Sequence, residues 1–290
     1  MKRVVVRLIG GLGNQMFQYA AARALSLKID ADVALDLSWF GTDPDRQYAL
    51  APLSIQASLA EPMATPNRSN SFWTRVARRL GLPRHERNMS VFSEASFRYD
   101  PRFETLQAPV FLDGYFQSEK YFRQYRDQLL KELCPHGNPS QSNARMLEEI
   151  RSKGAICLHI RRGDYVSNAA ANAYHGMCSL DYYQAGLDIV APTLANPHCF
   201  VFSDDPNWVR ENFRPAVPMT LVDINGPGEA HEDLRLMAAC SRFVIANSSL
   251  SWWGAWLSRA DEKMVVAPAR WFQTSQNDTR DLLPEGWLKV

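Results

Sequence analysis

Hydrophobic residues along the chain occur either in short continuous runs or at three- and four-residue spacing. The runs at 4–9, 33–37 and 110–112 predict buried strands, since short apolar runs suit strands that are covered on both faces. Apolar positions from Phe17 to Leu27 recur at helical spacing and predict a helix directly after the first strand. A further helix is predicted at 121–133. The chain therefore begins with a strand, a turn and a helix.

The second half of the chain alternates regularly between the two patterns. Strands are predicted at 155–160, 200–203, 220–222, 243–246 and 264–267. Helices are predicted at 143–151, at 181–190 with Ser179 as its cap, from Pro206, at 232–240 and at 251–258. This alternation predicts a parallel, doubly wound α/β sheet. Residues 134–140 are rich in Pro, Gly and Asn and predict a linker, so we expect domains at 1–135 and 140–290.

Two adjacent arginines follow the predicted strand 155–160, which ends in Arg161, Arg162, Gly163 and Asp164. Open α/β sheets bind ligands at the carboxyl ends of their strands. The two-residue period of a strand puts His159 and Arg161 on one face and Arg162 on the other. Either guanidinium suits a phosphate, and a surface salt bridge is the alternative for an isolated pair. The buried strand before the pair favours an anion site.

The first predicted strand leads into a glycine-rich turn that contains Gly10, Gly11, Gly13, Asn14 and Gln15. Glycines let backbone N–H groups approach a ligand, and the start of a helix favours negative charge. The spacing fits neither G-x-G-x-x-G nor a Walker loop, so a tight turn without a ligand is the alternative.

A second such segment lies at 247–256, between a predicted strand and a helix. Asn247, Ser248 and Ser249 offer polar groups at the helix start, which suits a phosphate, and an ordinary serine cap is the alternative. The tryptophans of this helix favour core packing over a sugar platform. They are Trp252, Trp253 and Trp256.

Acidic residues occur at two further element ends. Asp233 opens a predicted helix, where it either complements the helix dipole or accepts hydrogen bonds from a guanine edge. Asp204 and Asp205 follow the strand 200–203. Neighbouring strand residues point to opposite faces, and no second carboxylate pair or histidine cluster accompanies them, so we expect no metal site.

The chain has 290 residues with 32 basic and 31 acidic side chains, which gives no reason to expect nucleic acid as a partner. Its five cysteines are widely spaced and include no C-x-x-C pair, so we expect free thiols in a reducing compartment. No uncharged apolar run approaches the ~18 residues of a membrane span. An arginine-rich segment at 68–87 also carries an apolar stripe. It fits a solvated helix over the core or a helix on an anionic membrane surface.

Three motifs together resemble those of the bacterial α-1,2-fucosyltransferases, glycosyltransferase family 11. They are GGLGNQMFQYA at 10–20, HIRRGDY at 159–165 and NSSLSWWGAW at 247–256. The resemblance implies a GT-B-type α/β fold, with two Rossmann-like domains and a cleft between them. It also implies metal-independent, inverting transfer of L-fucose from GDP-β-L-fucose to O2 of a terminal β-galactose on an oligosaccharide or lipid-linked acceptor. No cofactor is implied. The expected setting is surface-glycan assembly, such as O-antigen, in the cytoplasm or at the inner face of its membrane.

The resemblance also implies roles for single residues, with the acceptor held by the first half and the donor by the second. His159 and Asp233 would contact the guanine, and Arg161, Ser248 and Ser249 the diphosphate. Asn14 would lie near the fucose and the reacting oxygens, and Gly11 and Gln15 of the same turn would also bind the substrate. Asp204 and Asp205, with Arg162 and Asn247, would line the donor or acceptor site.

The general base is less clear from the sequence. The related α-1,6 enzymes carry a carboxylate that has no counterpart here, since residues 168–171 are uncharged. Asp164 is the candidate base, and its alternative role is to orient Arg162. Alternative functions are a fucosyltransferase of other regiochemistry, such as an α-1,6 or Nod-factor type, and a non-catalytic module that binds a GDP-sugar or glycan.

Overall fold

The computed structural model describes residues 2–43, 45–61, 89–163, 173–274 and 277–290. In these residues the strands are β1 (Arg3–Arg7), β2 (Asp32–Asp36), β3 (Ser58–Leu59), β4 (Ser90–Ser93), β5 (Val110–Asp113), β6 (Gly154–Ile160), β7 (Pro197–Ser203), β8 (Met219–Val222), β9 (Arg242–Val244), β10 (Met264–Ala267) and β11 (Leu288–Lys289). The α-helices are α1 (Leu12–Ile29), α2 (Arg126–Glu132), α3 (Gln141–Arg151), α4 (Leu180–Val190), α5 (Pro206–Asn212), α6 (Ala230–Met237) and α7 (Ser249–Leu257).

β1 is the central strand of the first sheet, whose order is β3-β2-β1-β5-β4 and whose pairs are all parallel. Val4, Val5 and Val6 are completely buried because both faces of the strand are covered. The chain leaves the carboxyl end of β1 and enters α1 through Gly10 and Gly11. The glycine turn therefore lies at the middle of the carboxyl edge of this sheet.

β6 is a central strand of the second sheet, whose order is β11-β10-β9-β6-β7-β8 and whose pairs are also parallel. This confirms the predicted parallel α/β architecture. Ile160 of β6 pairs with Ser203 of β7, so the chain beyond each strand emerges at the same edge. Arg161 and Asp204, which come next, are brought side by side.

Helices α1 and α7 pack against each other and join the two halves of the chain. The indole Nε1 of Trp253 donates a hydrogen bond to the carbonyl of Gly13 at 2.9 Å. Phe17 contacts the rings of Trp252 and Trp253 at 4.5 and 4.9 Å between centroids. Trp252, Trp253 and Trp256 are all buried, which confirms core packing for the three. One hydrophobic core thus continues from the first half into the second.

The C-terminal residues return to the first half of the chain. The Asp281 carboxylate accepts hydrogen bonds from Lys120 Nζ at 2.5 Å and from Arg98 Nε at 2.9 Å. Trp252 Nε1 donates to the carbonyl of Leu282 at 3.0 Å. The division into domains at 1–135 and 140–290 stays a prediction. The last residues of the second domain contact residues of the first.

The predicted helix at 121–133 is wrong in its first part. Two 3₁₀ turns, Glu119–Tyr121 and Arg123–Tyr125, precede α2. Tyr121 and Phe122 are neighbours and both are fully buried, Tyr121 against Phe116 and Phe122 against Trp253. The backbone of Phe122 has a φ of −145°, outside the helical region, so a regular helix cannot run through this residue. The prediction also missed β3, β4 and β11, which have two to four residues each.

The arginine-rich segment 68–87 lies outside the described residues, so both interpretations of it stay predictions. In the part of the chain that is described, none of the helices has the length and apolarity to cross a membrane. All five cysteines are free, and Cys157, Cys199 and Cys240 are buried as expected.

Replacement of Gly13 by alanine is expected to separate α1 from α7. The added Cβ would lie 2.5 Å from the carbonyl carbon of Ser249 and 2.6 Å from the nitrogen of Leu250, and neither backbone atom has room to move. We expect the free energy of unfolding to fall by about 1–3 kcal/mol, the usual cost of overpacking. Urea unfolding measures this loss. The control is Gly41→Ala, whose Cβ meets no atom within 4 Å. Equal stability of the two variants would contradict the contact.

Candidate functional site

A cleft of about 840 Å³ opens between the carboxyl edges of the two sheets. Both halves of the chain line it. The first half contributes the turn at 10–14 and loops near residues 45–52 and 115–117, and the second half contributes Arg161 and residues 247–250. The three motifs singled out in the sequence therefore meet at one cavity, although up to about 240 residues separate them.

Two helix N-termini face this cleft. Gly11 is the N-cap of α1, and Ser248 is the N-cap of α7. The Ser248 side chain makes no capping hydrogen bond, so an ordinary serine cap does not account for it. Helix starts present unpaired N–H groups and a partial positive charge. We call residues 10–14, Arg161 and residues 248–250 the anion cradle.

Arg161 is held in the anion cradle by a carboxylate. Its Nη1 lies 2.7 Å from Asp204 Oδ2, and the side chain retains 24% of its exposure. The other oxygen of Asp204 accepts the backbone N–H of Arg162 at 2.8 Å. Gly163 allows this approach, since a Cβ there would lie 2.5 Å from Asp204 Oδ2. Asp204 thus orients the guanidinium from behind and does not itself line the cleft.

Arg162 points away from the cleft, as the strand period predicts. Its guanidinium stacks over Trp208 at 3.8 Å from the ring centroid and pairs with Asp205 Oδ2 at 3.3 Å. Asp205 also caps α5, because its Oδ1 accepts the N–H of Trp208 at 3.1 Å. The expected substrate contacts of Arg162, Asp204 and Asp205 therefore have no direct geometric support.

The turn residues Asn14 and Gln15 have different surroundings. Asn14 lines the cleft, and its Oδ1 accepts a hydrogen bond from Gln117 Nε2 at 2.8 Å. Gln15 is fully buried and donates to the carbonyls of Gly10 and Gln47, both at 2.8 Å. Its Oε1 accepts the N–H of Ala49 at 2.8 Å. All of its amide groups are occupied, so Gln15 positions the glycine turn rather than a substrate.

Asn247 braces two loops beside the cleft. Its buried Nδ2 lies within hydrogen-bond distance of the carbonyls of His175, Gly176 and Trp271, at 2.9, 3.0 and 3.2 Å. These contacts occupy its donors, and they fix the loop around residue 175 next to α7. Asn247 lines the cleft together with Ser248 and Ser249, and since its Nδ2 is engaged with these carbonyls, its expected substrate role stays a prediction.

His159 and Asp233 lie behind the cleft surface. Burial lowers the pKa of His159 to about 4, so the imidazole is neutral near pH 7, and its Nδ1 has no hydrogen-bond partner among the described residues. Burial raises the pKa of Asp233 to about 6, and Asn225 Nδ2 donates to its Oδ1 at 2.8 Å. Ala230 lies one helical turn before Asp233 and lines the cleft. The aspartate is therefore on the helix face that borders it.

Asp164 lies outside the described residues, and its role as general base stays a prediction. Among the described residues, no three His, Cys, Asp or Glu side chains lie together as a metal site. The motifs also missed cleft residues that lie outside the periodic segments of the sequence: Arg46, Tyr48, Tyr115, Gln117, Tyr174 and His175. Arg46 is the most informative, since its Nη1 is 3.6 Å from the Cβ position of Gly11 and adds a second guanidinium at the glycine turn.

Glu94 supports the loop that carries Tyr115 and Gln117 to the cleft. Its Oε2 accepts the N–H groups of Tyr115 and Phe116 at 2.9 and 3.0 Å, directly after β5. Burial raises the pKa of Glu94 to about 7 despite these hydrogen bonds. The carboxyl group is therefore partly protonated at neutral pH.

The chain is similar to known proteins along its whole length. Residues 97–290 match the model of Glycosyl transferase family 11. An α-1,2-colitosyltransferase of Escherichia coli is 32% identical over 100% of this chain and 99% of that protein. The chain belongs to glycosyltransferase family 11.

Other relatives agree with this membership in family 11. Galactoside α-(1,2)-fucosyltransferase 2 of Rattus norvegicus is 24% identical, over 88% of this chain and 67% of that protein. A solved structure of a mutant of Arabidopsis thaliana FUT1 in complex with GDP covers 89% of this chain and 69% of that chain, with a TM-score of 0.50 and 12% identity. That likeness concerns the fold alone. The predicted GT-B architecture, two parallel α/β units that face a cleft, is confirmed.

Replacement of Glu94 by glutamine is expected to change how the stability of this family 11 protein depends on pH. The pKa of Glu94 is about 7 in the folded chain and near 4.5 ordinarily, so the folded state binds more protons than the unfolded state between these values. The free energy of unfolding of the wild type therefore falls as the pH rises from 4.5 to 7. Glu94→Gln has no carboxyl group at this position and does not show this fall. Its free energy of unfolding should therefore rise relative to wild type between pH 4.5 and 7, as measured by urea unfolding.

The exposed Glu211→Gln variant is the matched control for Glu94→Gln. It should keep the pH profile of the wild type. A Glu94→Gln profile parallel to that of the wild type would contradict the raised pKa.

Proposed function

We propose that this family 11 glycosyltransferase moves L-fucose from GDP-β-L-fucose to O2 of a terminal β-galactose, with inversion at the anomeric carbon. The observation that carries the proposal is the anion cradle, in which Arg161 and the N-termini of α1 and α7 converge on one cleft. A nucleoside diphosphate is the leaving group that such a site would hold. The names of the relatives support α-1,2 linkage and a galactoside acceptor.

The chemistry agrees with the distribution of charge. As the bond between the sugar C1 and the β-phosphate oxygen breaks, positive charge develops on the sugar and negative charge on the diphosphate. Arg161 is already oriented by Asp204, so it opposes the phosphate charge without reorganisation. The acceptor hydroxyl attacks the opposite face of the sugar ring, which gives inversion. Asp164 is our proposed base for that hydroxyl proton.

The guanine is proposed to lie near Asp233 and His159. An ionised Asp233 matches the N1–H and N2 amino donors of guanine. A neutral His159 offers one ring nitrogen as donor and the other as acceptor, and its buried Nδ1 has no hydrogen-bond partner among the described residues. Pro227, Gly228 and His231 line this end of the cleft. A donor bound in this way would extend from α6 to the anion cradle.

GDP-colitose is a second candidate donor, because a colitosyltransferase is 32% identical to this chain along its full length. Colitose is L-fucose without the hydroxyl at C3, so both sugars present the same leaving group to the anion cradle. We propose surface-glycan assembly, such as O-antigen, as the setting. Five free cysteines suit a reducing cytoplasm.

Replacement of Arg161 by alanine is expected to abolish most of the transfer activity. The assay follows transfer from GDP-fucose and from GDP-colitose to lactose. EDTA is present to remove divalent metal ions, because we propose that Arg161 and the helix N-termini supply the positive charge at the diphosphate. Loss of one preorganised donor should lower kcat by about 10²–10³-fold. Arg162→Ala is the matched comparison, because that side chain stacks on Trp208 outside the cleft. Its effect on kcat should be much smaller.

Nuclear magnetic resonance of the product then identifies the linkage. A sugar attached α-1,2 to galactose supports the proposal, and the more efficient donor identifies the sugar. An α-1,6 product would establish a different regiochemistry. Tight GDP binding with an intact donor after long incubation would instead indicate a binding module and overturn the proposed activity.

GDP binding is expected to weaken as pH falls through about 6. Protonation of Asp233 removes the acceptor for guanine, so the Kd should rise by up to about tenfold per pH unit below that pKa. Calorimetry of wild type and Asp233→Asn between pH 5 and 7.5 measures the effect. Asp233→Asn should bind GDP more weakly than the wild type at pH 7.5. Because the terminal phosphate of GDP titrates equally with both proteins, the variant controls for that effect. Identical pH profiles of the Kd for wild type and variant would contradict the role of Asp233.

A further inference from the structure

Four aromatic rings form a continuous row along one side of the cleft, which we call the aromatic rim. Its members are Phe97, Tyr115, Tyr174 and Phe272. Tyr115 stacks on Phe97 with centroids 6.0 Å apart and an interplanar angle of 13°. Phe97 contacts Phe272 at 5.0 Å, and Phe272 contacts Tyr174 at 5.0 Å. Two rings come from each half of the chain, so the aromatic rim crosses from one half to the other.

The two outer rings remain accessible. Tyr115 is 38% exposed and Tyr174 is 37% exposed, whereas the tryptophans of α7 are at most 2% exposed. Packing between the halves would account for Phe97 and Phe272, which lie in the middle of the row. It does not account for two tyrosines that line the cleft and keep more than a third of their surface exposed. Exposed aromatic rings in a polar cleft are suited to a ligand with an apolar face.

Both tyrosines are fixed in place by their backbones. The N–H of Tyr115 is bound by Glu94, and the carbonyl of Tyr174 accepts the N–H of Gln273 at 2.9 Å. The Tyr174 hydroxyl accepts a hydrogen bond from Asn277 Nδ2 at 2.6 Å. The ring of Tyr115 is held by its stack on Phe97 and that of Tyr174 by Asn277, so both rings lose little conformational freedom when a ligand binds.

The aromatic rim also lies next to the anion cradle. Tyr115 is two residues from Gln117, whose amide donates to Asn14 of the glycine turn. Tyr174 precedes His175, whose carbonyl is bound by Asn247 at the start of α7. A step along the chain spans about 3.8 Å, so each tyrosine is only one or two residue steps from a group that contacts the cradle. A sugar on the rim would therefore be adjacent to the diphosphate-linked sugar.

We propose that the aromatic rim is the subsite for the acceptor sugar, and that Tyr115 and Tyr174 select a galactose-type ring. The proposal rests on the proposed function and adds the residues that recognise the acceptor. In β-galactose the axial hydroxyl at C4 leaves the hydrogens of C3, C4 and C5 together on one apolar face. That face packs on an aromatic ring. In a β-glucoside the C4 hydrogen lies on the opposite face, so the same contact is smaller.

The test measures binding of lactose to the full chain in the presence of GDP. Saturation-transfer NMR should show the strongest transfer to the galactose protons H3, H4 and H5. Tyr115→Ala and Tyr174→Ala should each weaken lactose binding by about fivefold or more, given the usual strength of aromatic contacts. The Kd of GDP, measured separately by calorimetry, should change by less than about twofold.

Conservative variants separate recognition from folding. Tyr115→Phe and Tyr174→Phe keep the ring and should bind lactose as the wild type does. Tyr115→Leu keeps apolar volume without the flat ring and should behave like Tyr115→Ala. Unchanged lactose binding in the alanine variants, or an equal loss in the leucine and phenylalanine variants, would overturn the proposal. Parallel losses of GDP and lactose affinity would also overturn it, since they would indicate general disruption.

Failure of this inference differs from failure of the proposed function. If the wild type transfers the sugar to lactose but the alanine variants keep its KM for lactose, the aromatic rim is not the acceptor subsite and the activity stands. If lactose binds the rim as expected but no transfer occurs from either donor, the subsite stands and the proposed reaction fails. A wild type that neither binds nor fucosylates a β-galactoside overturns both.

Discussion

The close contact of α1 with α7 at Gly13 is the constraint on which the site depends. A side chain at Gly13 would collide with the backbone of Ser249, and Trp253 binds the carbonyl of the same glycine. The contact directs two helix N-termini at one volume, where their partial positive charges add. It also brings the middle of one sheet edge opposite the middle of the other. The buried tryptophans of α7 fill the space between the two halves of the chain at this contact.

Geometry divides the two adjacent arginines between different tasks. Arg162 is held by Trp208 and Asp205 on the far side of the sheet, and Arg161 is aimed at the cleft by Asp204. A partly exposed ion pair contributes little to stability, commonly below about 1 kcal/mol. The pair of Arg161 with Asp204 is therefore better understood as a device for orientation. A guanidinium that is already oriented stabilises the charge of the transition state without the free-energy cost of ordering it for each substrate.

Much of the fold could be predicted because its signals are local. Apolar runs identified β1 and β6, and helical spacing identified α1. The strand period correctly separated Arg161 from Arg162, since alternation is a property of the backbone alone. Glycine and serine at the predicted helix starts indicated the two helix N-termini of the anion cradle, because these residue types are a local feature of the sequence. The edge strands β3, β4 and β11 escaped prediction, because two to four residues are too few to show a periodic pattern. The irregular turns before α2 escaped it because the backbone leaves the helical region at Phe122 within a segment of helical spacing.

Contacts between residues that are distant along the chain could not be predicted from these local patterns. Gln15 and Asn247 resemble ligand-binding residues in the sequence, yet their amides are occupied by backbone groups elsewhere in the chain. The places of Tyr115 and Tyr174 along the cleft have no periodic signal, because they are fixed by tertiary hydrogen bonds to Glu94, Gln273 and Asn277. Local patterns along the chain thus determine the helices, the strands and the chemistry offered at their ends. Which of those groups faces the cleft is decided by packing between the two halves, since only the folded chain brings such distant residues into contact.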